Sequence, residues 1–571
     1  MRVVSFDVFD TLLVRVQARP ADLFALLGAE LKAAGINVPS PITFAQLRQQ
    51  AELGARRTAP GGEATLAEIY ATLKVEFNWD AAICARVQAM EINLEEQSLK
   101  AVPGMLARVR AARESVDAIW FLSDMYLPAA CIEAVLRREG FFCDGDRLFV
   151  SGEYRSSKHR GDLFAKVRAQ AGAPITDWLH IGDNPHADDA VPRSQGIRTE
   201  LLREAALNRY EELAGGKQTE LPWRSLLAGA MRRARLANPE TDPARRIIWD
   251  TGCDIVGPLV LGFVHWCLSE AKSRGVRRLY FVARDGQLPQ RVASRLASAW
   301  GFDIECHYLH GSRQAWHPAA EQGADELRTQ AVGYFRQAGL LNGTPWAMVD
   351  IGWHGNLQRS LGKLLALDGG TQPVTGFYFG LVPGASALGT DTVLGYWNQL
   401  PARDHGVRRL NHALWEIFLS ADHGGVLGYR EEAGRFEPVL REPRNQRALA
   451  WGMETLQAAV MKFAELWLEV VPKPPPTPTD WLAVAREVYL EFYQRPAFAE
   501  ATVWGGIPFA DGQVEQDFKC LTPSLDGPPW RGILPWQRPL YWWAEGAQAQ
   551  EACWPLRLYL ALRDAKRWLT D

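Results

Sequence analysis

Asp7 and Asp10 stand at the end of an apolar, β-prone run, residues 3–6, within the stretch VVSFDVFDTLLVR. A buried parallel strand that delivers a carboxylate to its carboxyl end has this pattern, and that end is where α/β sheets keep their chemistry. Three later segments carry groups of matching character. Residues 118–122 form a second apolar run ending in Ser123-Asp124; Lys158 stands just before a helical pattern over 161–170; and residues 178–181 lead into Gly182-Asp183-Asn184, with Asp188 shortly after. Carboxylates joined by a hydroxyl and a lysine suit phosphoryl transfer through a carboxylate. That chemistry needs a nucleophile held beside a divalent cation, because two anions must approach one another.

The elements that would position these groups alternate. After Arg15, residues 21–34, 43–57 and 66–77 carry apolar side chains at three- and four-residue spacing, broken by Pro39, Pro41 and Gly61-Gly62. An all-helical insertion over about 16–100, between the first and second strands, would form a small cap over the catalytic face. Residues 103–112 and 131–139 read as helices, 148–151 as a short strand, and 197–202 as the strand that closes the sheet. Strands alternating with helices mean parallel βαβ units. The segment 206–244 is charged and helical with breaks at Gly215-Gly216 and 239–243, and it reads as a linker that bounds a first domain of residues 1–205.

The four ordered motifs resemble those of the haloacid dehalogenase-like (HAD) superfamily of hydrolases, over roughly residues 1–205. The resemblance implies a Rossmannoid parallel sheet with a substrate-selecting helical cap, and a Mg²⁺ cofactor. In that scheme Asp7 is the nucleophile, and it shares an oxygen-rich Mg²⁺ site with Asp183, Asp188 and the backbone carbonyl of Phe9. Ser123 hydrogen-bonds the phosphoryl oxygens, while Lys158 neutralises them and orients Asp7. Phosphatases of the superfamily usually place a second Asp two residues after the nucleophile, as the acid and base for the leaving group and for water. Here that position is Phe9, and the acid stands one place further on, at Asp10. Loss of a well-placed acid/base costs about 10²- to 10⁴-fold with a poor leaving group.

Haloalkanoate dehalogenases of the superfamily also lack that second Asp, so dehalogenation is an alternative, although the acids at 183 and 188 would be idle in it. The arrangement Asp-x-Phe-Asp-Thr-Leu, with a long second half, looks like predicted hydrolases associated with bacterial surface-polysaccharide synthesis. It implies a small phosphorylated substrate, such as a sugar or nucleotide-sugar precursor. Two further alternatives remain: a catalytically weakened scaffold with a binding or regulatory role, and an accessory to a transferase activity in the second half.

A second α/β three-layer domain is expected over 245–430. Residues 278–283 run into Arg284-Asp285-Gly286, residues 304–309 into Gly311-Ser312-Arg313, and residues 346–349 into Asp350-Ile351-Gly352-Trp353-His354-Gly355-Asn356; a fourth strand covers 374–381. Arg284, Asp285, Gly286, Arg313, Asp350, Gly352, His354 and Gly355 are candidates for an anion site, with Arg284 and Asp350 paired to each other or to the C-terminal helices as the structural alternative. The spacing from Asp350 to Gly355 faintly resembles the ribose-phosphate loop of phosphoribosyltransferases, but the adjacent acidic pair and the threonine are missing. Beyond 430 the pattern is mostly helical, with a proline tract at 473–478 and a tail rich in Trp (Trp530, Trp536, Trp542, Trp543, Trp554, Trp568), read as aromatic packing or as a carbohydrate or partner surface.

Length and composition set the remaining bounds. At 571 residues the chain needs several cores, and 47% hydrophobic with 23% charged residues describes a globular protein. A net charge of -3 with mixed signs gives no basic footprint for nucleic acid. Eight cysteines without a CxxC pair argue against a zinc ribbon or disulfide framework. The start runs directly into a strand with no signal-like core, and the most apolar later run, 256–268, is shorter than the ~20 residues of a membrane span. These features are read as cytoplasmic, with no membrane span; they fix no oligomeric state.

Overall fold

In the computed structural model the apolar run at the start forms strand β1 (Arg2–Asp7), the centre of a five-stranded sheet. The structure describes residues 1–172, 174–217, 222–321, 323–370, 373–382, 385, 392–399, 411–472, 475–510, 518–522 and 542–550. They divide between two compact units, Met1–Ala237 with Val470–Pro472, and Asn238–Glu469 with the residues from Lys473 on.

In the first unit the chain leaves β1 through a short ribbon, β2 (Leu13–Arg15) paired antiparallel with β3 (Leu99–Ala101). The main sheet is completed by β4 (Ala118–Ser123), β5 (Arg147–Val150), β6 (Asp177–Gly182) and β7 (Arg198–Leu201), in the order β5-β4-β1-β6-β7 and parallel throughout. Chain order therefore reverses at β1, between β4 on one side and β6 on the other. Crevices at the carboxyl ends of such a reversal are where open α/β sheets bind ligands. The expected strands and helices all form; residue 151, read as a strand end, instead starts a one-turn helix, Ser151–Tyr154.

The insertion between β2 and β3 is four helices, Pro20–Ala33, Pro41–Thr58, Leu66–Glu76 and Ala81–Ser98. Their starts are written locally: Ser40 caps Thr43 N with Pro41 in the first turn, Thr65 and Glu68 make a reciprocal capping box, and Asp80 caps Ile83 N at 2.7 Å. Their core holds a fully buried ion pair. Arg48 donates to Glu91 at 2.6 and 2.9 Å, lies between the rings of Phe24 and Tyr126, and shares Glu91 with the Tyr70 hydroxyl.

The expected linker 206–244 does not stand apart from the first unit. Helix Pro222–Leu236 packs close to the turn after β2, where a Cβ on Gly229 would run into the Val16 carbonyl; Arg235 pairs with Glu211, and the unit extends to Ala237. The apolar face of the helix is buried, and Arg232 adds polar contacts to Asp10 and to the carbonyls of Arg15 and Gln17, set out below.

The second unit has its own parallel sheet, β8 (Arg278–Val282), β9 (Glu305–Leu309), β10 (Trp346–Asp350), β11 (Thr375–Tyr378) and β12 (Thr392–Gly395), in the order β12-β11-β10-β8-β9. The strand β12 goes beyond the expected set. A hairpin, β13 (Val426–Glu432) and β14 (Arg435–Leu440), crosses the place where mostly helical structure was expected to begin. Its turn uses two left-handed residues, Ala433 and Gly434, without the Asn-Gly or Asp-Gly pair that marks such turns in a sequence.

The apolar run at 256–268 belongs to a continuous helical segment, Pro243–Ser273, that is long and apolar enough to cross a membrane by length and composition. Its apolar window is 89% buried within the protein, with Trp481 donating to Pro258 O. Of the expected aromatic tail, Trp543 is buried and stacks on Tyr493, and Trp542 meets the edge of Phe509; Trp530, Trp536, Trp554, Trp568 and part of the proline tract lie outside the described residues.

The Arg48–Glu91 pair yields a stability expectation. Glu91→Leu leaves the buried guanidinium to the more distant Glu52, at 3.3 Å, and should cost up to about 3–5 kcal/mol, whereas the double change Arg48→Met with Glu91→Leu should recover most of it. Urea unfolding measures both; a single-variant loss below about 1 kcal/mol would show that Glu52 or water carries the Arg48 charge.

Candidate active site

Asp7 ends β1 and faces Leu122 across the β4 register, so Ser123 lies one residue further along the same carboxyl edge. From β6 the chain passes Gly182 into Asp183, and a turn of wide helix from Pro185 to Ala190 brings Asp188 back under the strand end. Gly182 makes this return possible, because a Cβ there would collide with the carboxyl group of Asp188. Carboxylate oxygens of Asp7, Asp183 and Asp188 lie within 4.8 Å of one another. An all-oxygen, mostly carboxylate donor set at this spacing suits a hard divalent cation.

Lys158 reaches the same point from the loop after the helical turn at 151–154. Its backbone amide is held by Asp124 Oδ1 at 2.8 Å and that of His159 by Asp124 Oδ2 at 3.1 Å. Its ammonium, 3% exposed, donates to Asp7 Oδ1 and, at 2.6 Å, to Asp188 Oδ1. The other oxygen of Asp7 accepts from Thr11 at 3.0 Å.

The charges are unequal in their effects. Burial raises the Asp7 pKa well above the usual range, with Asp188 and Asp183 adding to it against the pull of Lys158. Asp183 is pushed up to about 6 by burial and by Asp10 and Asp188. Burial works in the same direction on Asp188, but Lys158 and a hydrogen bond from His180 outweigh it and hold that carboxyl below the usual range. One lysine thus compensates three clustered carboxylates incompletely, and a bound cation would relieve the remainder.

Behind Asp188 runs a buried polar chain. The indole of Trp178 donates to Ser5 Oγ at 2.8 Å, Ser5 is 2.8 Å from His180 Nδ1, and His180 Nε2 is 3.0 Å from Asp188 Oδ1. Burial lowers the His180 pKa, so the imidazole is neutral. Its one proton then belongs on Nε2, donated to Asp188, with Nδ1 accepting from the Ser5 hydroxyl. The amide of Asn184 donates to the second Asp188 oxygen at 3.0 Å, which completes a fixed carboxylate.

The side chains of Phe9, expected to offer only its backbone carbonyl, and of Asp10 have other partners. The Phe9 ring lies 4.7 Å from the guanidinium carbon of Arg15, which is itself buried and paired to Glu95. Asp10 has φ +56°, a left-handed conformation that Asp tolerates better than most residues. Its carboxylate is 3.3 Å from Arg232, whose other nitrogen donates to the carbonyls of Arg15 and Gln17 at 2.9 Å each. Asp10 still bears electrostatically on Asp183, so it stands beside the cluster as a guanidinium-paired anion.

The sequence-predicted set thus divides. Asp7, Lys158, Asp183 and Asp188 converge; Ser123 shares their strand edge; Asp10 stands beside them. Thr11, Asp124, His180, Ser5, Trp178 and Arg232 were not foreseen. The available signal was polarity out of place: Ser5 and His180 are buried register partners on adjacent, mostly apolar strands. In the second unit Arg284, Asp285, Arg313, Asp350, Gly352 and His354 line one cavity of about 170 Å³, while Gly286 and Gly355 begin the helices behind it. Asp350 forms no ion pair among the described residues, so the alternative of an Arg284–Asp350 tie does not form.

Comparisons with known proteins bear on the first unit. No protein-family model matches the chain, and no curated protein does. Among solved structures, the chain is similar to YfnB from Bacillus subtilis, designated a HAD-hydrolase and bound to magnesium (21% identity over 36% of this chain and 89% of that one, TM-score 0.28). It is similar to a 2-haloacid dehalogenase from Pseudomonas syringae pv. Tomato (15%, 36% and 87%, 0.29) and to a HAD phosphatase from Thermococcus onnurineus (16%, 40% and 99%, 0.27).

The Asp10–Arg232 contact can be tested directly. Arg232→Leu leaves two buried carbonyls and one carboxylate without their donor, at about 1–3 kcal/mol for each group that water cannot reach. Urea unfolding should show a loss well above 1 kcal/mol; an unchanged midpoint would mean that these groups do not depend on Arg232.

Proposed function

We propose that the first unit is a HAD-type hydrolase that cleaves a phosphate ester through Asp7. The observation that carries this reading is the convergence of Asp7, Asp183 and Asp188 on one cation-sized point with Lys158 bridging two of them. Asp7 and Asp183, with Asp188 fixed by His180, would hold Mg²⁺, whose charge would let a phosphoryl anion approach a carboxylate. Asp7 would attack phosphorus as the bond to the leaving oxygen breaks, and water would then release phosphate from the aspartyl phosphate, a mixed anhydride, and return the carboxylate. Lys158 orients Asp7 and offsets the added charge, and Ser123 would bind a phosphoryl oxygen from the neighbouring strand end.

Phe9 supplies no proton to the leaving oxygen, and the Asp10 carboxylate is engaged by Arg232 at 3.3 Å. The reading therefore implies substrates whose leaving groups need little protonation, or protonation from solvent. The four-helix insertion would select among them, with a phosphorylated sugar or nucleotide-sugar precursor as the class. A second reading, dehalogenation of a haloacid, is favoured by Phe9 alone; it gives Asp183 and Asp188 no cation to hold. The site would act in a protein that is proposed to work in the cytoplasm.

Three outcomes are expected. Asp7→Asn should abolish Mg²⁺-dependent turnover of aryl phosphates with the fold intact by circular dichroism; wild-type rates would sink the mechanism. Across an aryl phosphate series, kcat should fall steeply as the leaving-group pKa rises, and a flat series that becomes steep in Asp10→Asn would instead make Asp10 the acid. Mg²⁺ at about 100 times its Kd should stabilise the protein by about 2.7 kcal/mol, and Asp183→Asn should remove that shift; metal-independent turnover of chloroacetate with no such shift would favour the haloacid reading.

A further inference from the structure

The second sheet reverses chain order as the first one does. Its order, β12-β11-β10-β8-β9, places β9 on one side of β8 and β10 on the other, so the connections leaving β8 and β10 diverge. Sheets of this order bind ligands in the crevice beyond those two strand ends. A cavity of about 170 Å³ lies there, lined from the end of β8 by Arg284 and Asp285, from the end of β9 by Ser312 and Arg313, and from the end of β10 by Asp350 and the loop to Asn356.

The lining separates into two chemistries. Arg313 is exposed and makes none of the ion pairs found among the described residues. Close by, the twelve-residue helix Asn356–Leu367 begins from Gly355, whose φ is +72° and which offers no side-chain cap, so the first-turn amides of Asn356 and Leu357 are left for an acceptor in the cavity they line. A guanidinium and uncapped helix amides are a phosphate's partners. The same cavity is lined by Asp350, 8% exposed, with Asp285 and Glu416; the Asp350 carboxylate accepts from the backbone of Ile351 and Gly352 and feels the charge of Arg313. Burial and the neighbouring Asp285 push Asp350 up to about 7, which suits a carboxyl that exchanges hydrogen bonds with neutral hydroxyls.

These acids do not form a cation site. Among the described residues, the acidic group that converges to metal-binding spacing is the one in the first unit. The volume, well under the ~300–1,000 Å³ of drug-sized ligand pockets, limits the ligand to a small molecule.

We propose that this crevice binds a small phosphorylated sugar, its phosphate on Arg313 and the Asn356–Leu367 helix start and its hydroxyls on Asp350 and Asp285. The site is separate from the one around Asp7 and does not depend on that assignment.

The test uses the full chain carrying Asp7→Asn, so that no probe is turned over, in calorimetric titrations with ribose 5-phosphate, glucose 1-phosphate and inorganic phosphate. Adding Arg313→Ala should weaken sugar-phosphate binding about 10- to 100-fold or remove one site from the stoichiometry. Because Arg313 is exposed, melting should be unchanged, so a fold defect does not confuse the reading. Adding Asp350→Asn should weaken the sugar phosphates more than inorganic phosphate. An isotherm unaffected by Arg313→Ala overturns the site, and inorganic phosphate bound as tightly as both sugar phosphates overturns the sugar assignment.

Discussion

The first unit depends on one buried ammonium. Lys158 sits between Asp7 and Asp188 with almost no access to water, where an unpaired charge of either sign would be prohibitive. The lysine needs both acids to remain charged at that depth, and the acids need the lysine to remain close together. Much of the surrounding structure serves this balance: Asp124 fixes the backbone that carries Lys158, Gly182 makes room for Asp188, and the Trp178–Ser5–His180 chain holds Asp188 from behind. The balance is also unfinished, since Asp7 and Asp183 both stay above their ordinary pKa. A site built with one positive charge too few is poised for a cation.

The two sheets reach comparable arrangements by the same topological route. Each has a first strand flanked on one side by its successor and on the other by a later strand, and each leaves acids just beyond the reversal: Asp7 with Asp183, and Asp285 with Asp350. The difference lies in what faces those acids. In the first unit a lysine is buried among them, which favours a compact charge cluster. In the second, Arg313 is exposed while Asp350 is buried beside Asp285 in the same cavity lining, which favours a ligand with both anionic and hydroxyl groups.

Sequence reasoning reached the sheet and the converging acids because each rests on local signals: apolar runs of strand length, an acid at the end of a run, glycine before Asp183. It did not reach Arg232, whose role depends on a hydrogen bond from the far end of the unit to Asp10 and to the carbonyls of Arg15 and Gln17. Nothing in the pattern of 222–236 distinguishes that arginine from its neighbours, so the segment reads as a linker until its partners are known. Tertiary pairing also hid the hairpin β13–β14, whose Ala433-Gly434 turn takes two left-handed residues with only one glycine to announce it. His180 lay between these extremes, since a histidine in a buried strand is legible as an anomaly while its pairing with Asp188 is not.

Phe9 and Asp10 show why position in a motif does not settle a role. A one-residue displacement of an acid along an extended strand would turn it to the opposite face; here the chain bends instead, with Asp10 in a left-handed conformation that keeps it near Asp183. Proximity alone would count Asp10 among the clustered acids. Its carboxylate is instead tied to Arg232 of the helix Pro222–Leu236. Meanwhile the Phe9 ring, lying over the Arg15 guanidinium, joins the strand end to the ion pair of Arg15 with Glu95 at the base of the helical insertion. The side chain that removes an acid from the site is therefore part of what fastens the insertion beside it, so restoring the acid by Phe9→Asp would exchange an aromatic contact for a carboxylate competing for Arg15.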